Sequence, residues 1–118
     1  MTTAANIAIA LVALLHAYFL VLEMFLWDKP FGRRVFKLTP EFAAASKALA
    51  ANQGLYNGFL AAGLLWGLYL GAAGIQVKVF FLSCVVVAGL FGGTTVNRAI
   101  LFVQAIPGII GLALLLES

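Results

Sequence analysis

Charge is scarce in this sequence: seven cationic and four acidic side chains serve 118 residues, and 64% of the chain is hydrophobic. A soluble domain of this length needs a charged surface over a modest core, so that class is excluded. Cysteine occurs once, at Cys84 in an apolar run, which rules out an internal disulfide and leaves a small buried hydrophobe. Histidine also occurs once, and one histidine cannot build a zinc site. The chain has no His-Glu-x-x-His, no cysteine pair, no phosphate-cradling glycine loop and no carboxylate cluster for a hard cation, so no metal site is expected. The net charge of +3 would suit nucleic-acid binding in a soluble protein. No basic helix with interleaved aromatics lies outside the apolar runs, however, and nucleic acid is excluded as a partner.

What the chain has instead is long apolar stretches. Runs of about 20 apolar residues match the thickness of a bilayer core. The pattern predicts an all-α integral membrane domain with four spans, at about 5–27, 49–71, 76–92 and 98–116. The first run lacks preceding bases and is followed by "WDKPFGRR", the reverse of a signal peptide, so it is expected to stay as a helix. Thr39-Pro40-Glu41 reads as a helix start: a capping hydroxyl, a proline in the first turn and an acid near the positive dipole end. One long helix is expected to follow, its first turns outside the bilayer core. "GAAGIQ" and "GGTTVN" break the pattern on either side of the third run, and Pro107 should kink the fourth.

Lys29, Arg33, Arg34, Lys37 and Lys47 fall in or beside the first loop, 28–47, with Arg98 at the third. Lys78 alone falls at the second. The excess of cations on one side makes that side cytoplasmic, so both termini of an antiparallel four-helix bundle should face outward. The loop also mixes Phe31, Val35, Phe36 and Leu38 among its bases. That composition suits a segment lying on lipid headgroups, and equally an ordinary positively charged loop.

Depth then sorts the polar residues. At about 1.5 Å per residue, Glu23 lies about 6 Å inside the cytoplasmic end of the first helix and His16 about 16 Å inside. Seven residues apart, they share a face. Asn52, Gln53, Tyr56 and Asn57 enter with the first membrane turns of the second helix, Gln53 and Asn57 on one face. Arg98 sits at the edge of the fourth helix, with Gln104 about 9 Å deeper. Polar groups facing lipid are costly, so these eight are expected to turn inward as a pocket opening to the cytoplasm, with Arg98 as counter-ion to Glu23. Asn and Gln also act as plain interhelical glue, and His16 has a bland reading as a satisfied core histidine.

Glycines recur at four-residue spacing: Gly54 and Gly58, then Gly63, Gly67 and Gly71, and later Gly89 and Gly93. Such spacing lets helix backbones approach closely. It favours packing within the bundle over a homodimer, which stays open.

The segments "HAYFLVLEMFLW", "LAANQGLYNGFLAAGLLWGL" and "NRAI" give the whole chain a resemblance to a family of small bacterial integral membrane proteins, domain of unknown function 1304. The resemblance implies four spans and a multi-pass location in the bacterial inner membrane. It implies no reaction, ligand or cofactor. Three functions are compatible with the residues. The first is binding or transport of a small molecule through the polar pocket, with Glu23 and His16 as proton sites. The second is a membrane-embedded isomerase or hydrolase for an apolar substrate, His16 serving as acid/base or holding haem. The third is a non-catalytic scaffold or stress-related protein.

Overall fold

Residues 2–118 are described by a computed structural model, and among them every regular element is helical. Helix α1 covers Thr2–Phe25, a run of 24 residues with no glycine or proline to interrupt it. It ends where Asp28-Lys29-Pro30 brings charge and a missing amide donor. A short helix α2, Pro30–Phe36, begins with proline at its first turn and stops at Lys37, whose left-handed backbone (φ 56°) closes the turn. Helix α3, Pro40–Leu70, starts as its cap signature predicts: Thr39 Oγ1 accepts from the Phe42 amide at 3.1 Å.

At Gly71 the backbone takes φ 62°, a single 3₁₀ turn spans Gly71–Gly74, and α4 follows over Ile75–Thr95. The break expected over Gly92–Asn97 falls toward its far end, because the helix runs through Gly92 and Gly93 to Thr95. The hydroxyls of Thr94 and Thr95 fold back onto the carbonyls of Leu90 and Phe91, and the last turn survives. Asn97 then accepts from the Ala99 amide and opens the next segment. A π-helical turn, Leu101–Ala105, leads into α5, Ile106–Leu116. The widened turn lies directly before Pro107, and the Ile106 N–H reaches back five residues to the Leu101 carbonyl. The segment 28–47 holds one helix that was not expected, α2, ahead of the start of α3.

Two helical stretches, Thr2–Phe25 and Pro40–Thr95, are long and apolar enough to cross a membrane; Leu101–Leu116 is apolar but shorter. The chain forms two compact units, Met1–Leu14 with Leu60–Ser118 and Leu15–Phe59. In the first, Ala5, Ile9 and Val12 form one stripe of α1 and join Leu64, Leu82, Val85 and Leu115 in the core. The second half of α3 and α4 run antiparallel, with Gly63 beneath Phe81 and Gly67 beneath Lys78. The glycines of α4 meet the next segment in the same way, Gly89 at Ala105 and Gly93 at Leu101. In the second unit, α1 and α3 approach at Gly54 and Gly58, and Trp27 Nε1–H donates to Ser46 Oγ at 3.0 Å.

Space and backbone conformation make separate demands at two of these glycines. A methyl at Gly89 would lie 2.5 Å from the Ala105 amide nitrogen, so Gly89→Ala should cost about 1–3 kcal/mol. A methyl at Gly71 would meet nothing within 4 Å, yet Gly71→Ala should still cost about 1–2 kcal/mol for its left-handed backbone, and Gly71→Asn less. Thermal unfolding of the three variants in detergent checks the order.

Candidate functional site

The unit Leu15–Phe59 brings an acid and an amide together inside an apolar helix pair. On α3, Gly54, Asn57 and Gly58 share a face by their three- and four-residue spacing. The glycines leave room for α1: a methyl at Gly54 would meet Met24 Cγ at 2.7 Å, and one at Gly58 would meet Leu20 Cδ1 at 2.6 Å. At that separation the side chain of Asn57 reaches across the gap, and its Nδ2–H donates to Glu23 Oε1 at 2.5 Å. Asn57 is only 8% exposed, and Glu23 is half-buried. His16, two turns along α1 from Glu23, is fully enclosed and stands edge-on to Phe19 at 5.5 Å between ring centres.

Of the eight residues expected to form a pocket, the structure joins Glu23 to Asn57 and buries His16 in the same unit. Asn52, Gln53 and Tyr56 lie at the surface of that unit, Tyr56 beside Phe59 with ring centres 5.9 Å apart. Arg98 and Gln104 belong to the other unit, Arg98 exposed and Gln104 half-buried within the π-helical turn. Arg98 was the expected counter-ion of Glu23; within its own unit the carboxyl takes its hydrogen bond from Asn57. The ion pair of that unit lies elsewhere, where Lys47 Nζ sits 3.1 Å from Asp28 Oδ2. The Lys47 hydrogen bond holds the partly exposed Asp28 carboxyl below its ordinary value of 3.8.

Sequence reasoning missed a second polar cluster. Lys78 reads as a loop cation that sets topology, but it is 2% exposed. Its ammonium donates to Asn6 Oδ1 at 3.1 Å and to the Gly71 carbonyl at 3.3 Å, and its stem lies over Gly67. One signal was available: a lone cation and a lone asparagine in otherwise apolar helical runs need each other. The same unit carries an open groove of about 520 Å³ along α4, lined by Phe80, Ser83, Cys84, Val87, Ala88 and Phe91. That groove is apolar and contains none of the eight expected residues.

A family model described as protein of unknown function (DUF1304) matches residues 10–116, nearly the whole helical array. The chain belongs to the DUF1304 family. It is also similar to "Uncharacterized protein YpaA" of Lactococcus lactis subsp. lactis (strain IL1403), 32% identical over 117 residues that cover 98% of this chain and 94% of the relative. No solved structure matches it. The DUF1304 match takes in His16, Glu23, Asn57 and Lys78 but starts after Asn6. Neither description names an activity, so the chemistry of this DUF1304 protein must be argued from its side chains.

Two outcomes follow for the clusters just described. Lys78→Met keeps the stem over Gly67 and strips the donors from Asn6 Oδ1 and the Gly71 carbonyl, so it should cost about 1–3 kcal/mol in thermal unfolding. Adding Asn6→Leu should recover part of that loss, because the stranded acceptor is then gone. At the Lys47–Asp28 pair, Lys47→Gln should move the Asp28 carboxyl up toward 3.8, read by carbon NMR. A lowered folded value means the pair contributes above about pH 3.8 and is lost as pH falls through the folded value. Exposure keeps the effect on melting temperature small.

Proposed function

We propose that this DUF1304 protein is a multi-pass protein of the bacterial inner membrane that binds a small polar molecule at Glu23 and Asn57. In this reading it crosses the bilayer four times as an antiparallel bundle, with both termini outside and the α2 segment on the cytoplasmic face. The distribution of side chains supports it. Leu14, Phe25, Phe59, Trp66, Phe80 and Phe91 point outward, whereas His16, Asn57 and Lys78 are enclosed. A soluble protein buries large apolar groups and exposes polar ones; the inverse suits a lipid environment.

The observation that carries the site is the Asn57–Glu23 hydrogen bond at a place where α1 and α3 approach through glycine. A carboxyl offers two acceptor oxygens and Asn57 engages one of them, so the pair suits a ligand rich in N–H or O–H donors, such as an amine or a polyol. His16 is the second proton-active group on the same helix. Asn52, Gln53 and Tyr56 form the approach from the cytoplasmic side, and Arg98 and Gln104 are the further polar groups of the cytoplasmic half. The same hydrogen bond has a second reading as helix glue.

Native mass spectrometry of protein purified in mild detergent separates the two. A bound non-lipid mass should be present in the wild type and fall about tenfold or more in Glu23→Gln and Asn57→Leu, the loss expected for one hydrogen bond to a charged or polar ligand group. If the wild type carries no such mass and both variants only lower the melting temperature, the pair is glue.

A further inference from the structure

Helix α2 gathers charge that its own unit does not neutralise. Between Asp28 and Lys47 the chain has five cationic side chains and two acidic ones, and Lys47 already occupies Asp28. Lys29, Arg33, Arg34 and Lys37 form no ion pair within the unit. The Nε of Arg33 is closed off from solvent and has no hydrogen-bond partner. Such enclosed donors are rare in folded proteins because each forfeits its hydration without a return.

Two contacts fix how α2 lies. Gly32 is buried against the Leu26 carbonyl, where a methyl would collide, and Phe36 stacks on Trp27 with ring centres 4.9 Å apart. Clamped along that face, the helix turns Phe31 and Val35 outward, 44% and 42% exposed and four residues apart. Arg34 lies over the Phe31 ring at 5.7 Å. The exposed face therefore carries an apolar pair with the Arg34 guanidinium beside it, and the partly exposed Arg33 lies further round the helix. Helix α2 also joins the two stretches that are long and apolar enough to cross a membrane.

We propose that α2 is a binding site for anionic phospholipids, in which Arg33 and Arg34 hold the headgroup phosphate while Phe31 and Val35 enter the acyl region. The planar fork of a guanidinium matches two phosphate oxygens at once, which a single ammonium cannot do. Lys29 and Lys37, at the two ends of the helix, add attraction for a negatively charged leaflet. The inference rests on the membrane placement given under Proposed function and does not depend on the Glu23–Asn57 site.

The test is lipid competition on the full-length protein. Wild type in mild detergent is offered equal phosphatidylglycerol and phosphatidylcholine, and retained lipid is counted by native mass spectrometry. Phosphatidylglycerol should be preferred, and Arg33→Gln/Arg34→Gln should lower that preference by about tenfold or more, each cation being worth roughly a fivefold factor. Lys47→Gln, which removes a cation already paired with Asp28, should change it by less than about twofold. If the double variant unfolds, raising salt on the wild type should erode the same preference. Equal retention of the two lipids by the wild type, or an unchanged preference in a folded double variant, overturns the proposal. Failure of the wild type to insert into vesicles of either lipid overturns it together with the membrane reading; insertion into both without preference removes this inference alone.

Discussion

The structure depends on helices packing closer at glycine than a side chain at those positions would allow. Gly54 and Gly58 admit Met24 and Leu20 in one unit; Gly63, Gly67, Gly89 and Gly93 admit Phe81, Lys78, Ala105 and Leu101 in the other. Without a Cβ, each position leaves room for a side chain of the neighbouring helix, and Gly89 for the Ala105 backbone itself. In lipid this matters more than in water, because the acyl chains are as apolar as leucine and supply no hydrophobic drive for helices to associate. Dispersion contacts and short-range polar bonds must then carry the association, and both require proximity.

Proximity also decides which polar side chains can be enclosed. Asn57 reaches Glu23 because its neighbours Gly54 and Gly58 have no side chains in the way. The stem of Lys78 lies over Gly67 and its ammonium meets Asn6 and the carbonyl of Gly71, a residue whose positive φ turns the chain there. In both clusters a small residue and a polar one act as a unit, the first making the space and the second filling it with a directed bond. The proposed ligand site is one such unit read as chemistry. The proposed lipid site is the opposite case, a helix whose cations find too few acceptors in the protein.

Much of this was legible from the residues. The helical class followed from apolar runs, the start of α3 from Thr39-Pro40-Glu41, and the close approaches from the glycine spacing. Glu23 and Asn57 stood out as polar groups at depth. What could not be read was which polar groups would meet. Helical periodicity gives the face of one helix but not its rotation against the next, so Asn52, Gln53 and Tyr56 were expected inside and lie at the surface. Lys78 was read as a topology marker because charge counting treats every cation alike, whereas burial depends on whether an acceptor lies within reach. Helix α2 escaped notice because seven residues hold too little periodicity to separate a helix from a basic loop. The π-helical turn before Pro107 leaves no mark in the hydropathy pattern, and the break read over Gly92–Asn97 falls only after Thr95, where the threonine hydroxyls bond back to the preceding turn.

Both functional proposals require that α2 face the cytoplasm and that the two termini face the other way. Labelling of single cysteines with a membrane-impermeant maleimide tests this most directly. In a Cys84→Ala background, Thr3→Cys and Ser118→Cys should react in spheroplasts with intact inner membranes, and Lys37→Cys should react only after the membrane is opened. Labelling of Lys37→Cys from outside, with both terminal positions protected, would contradict the account.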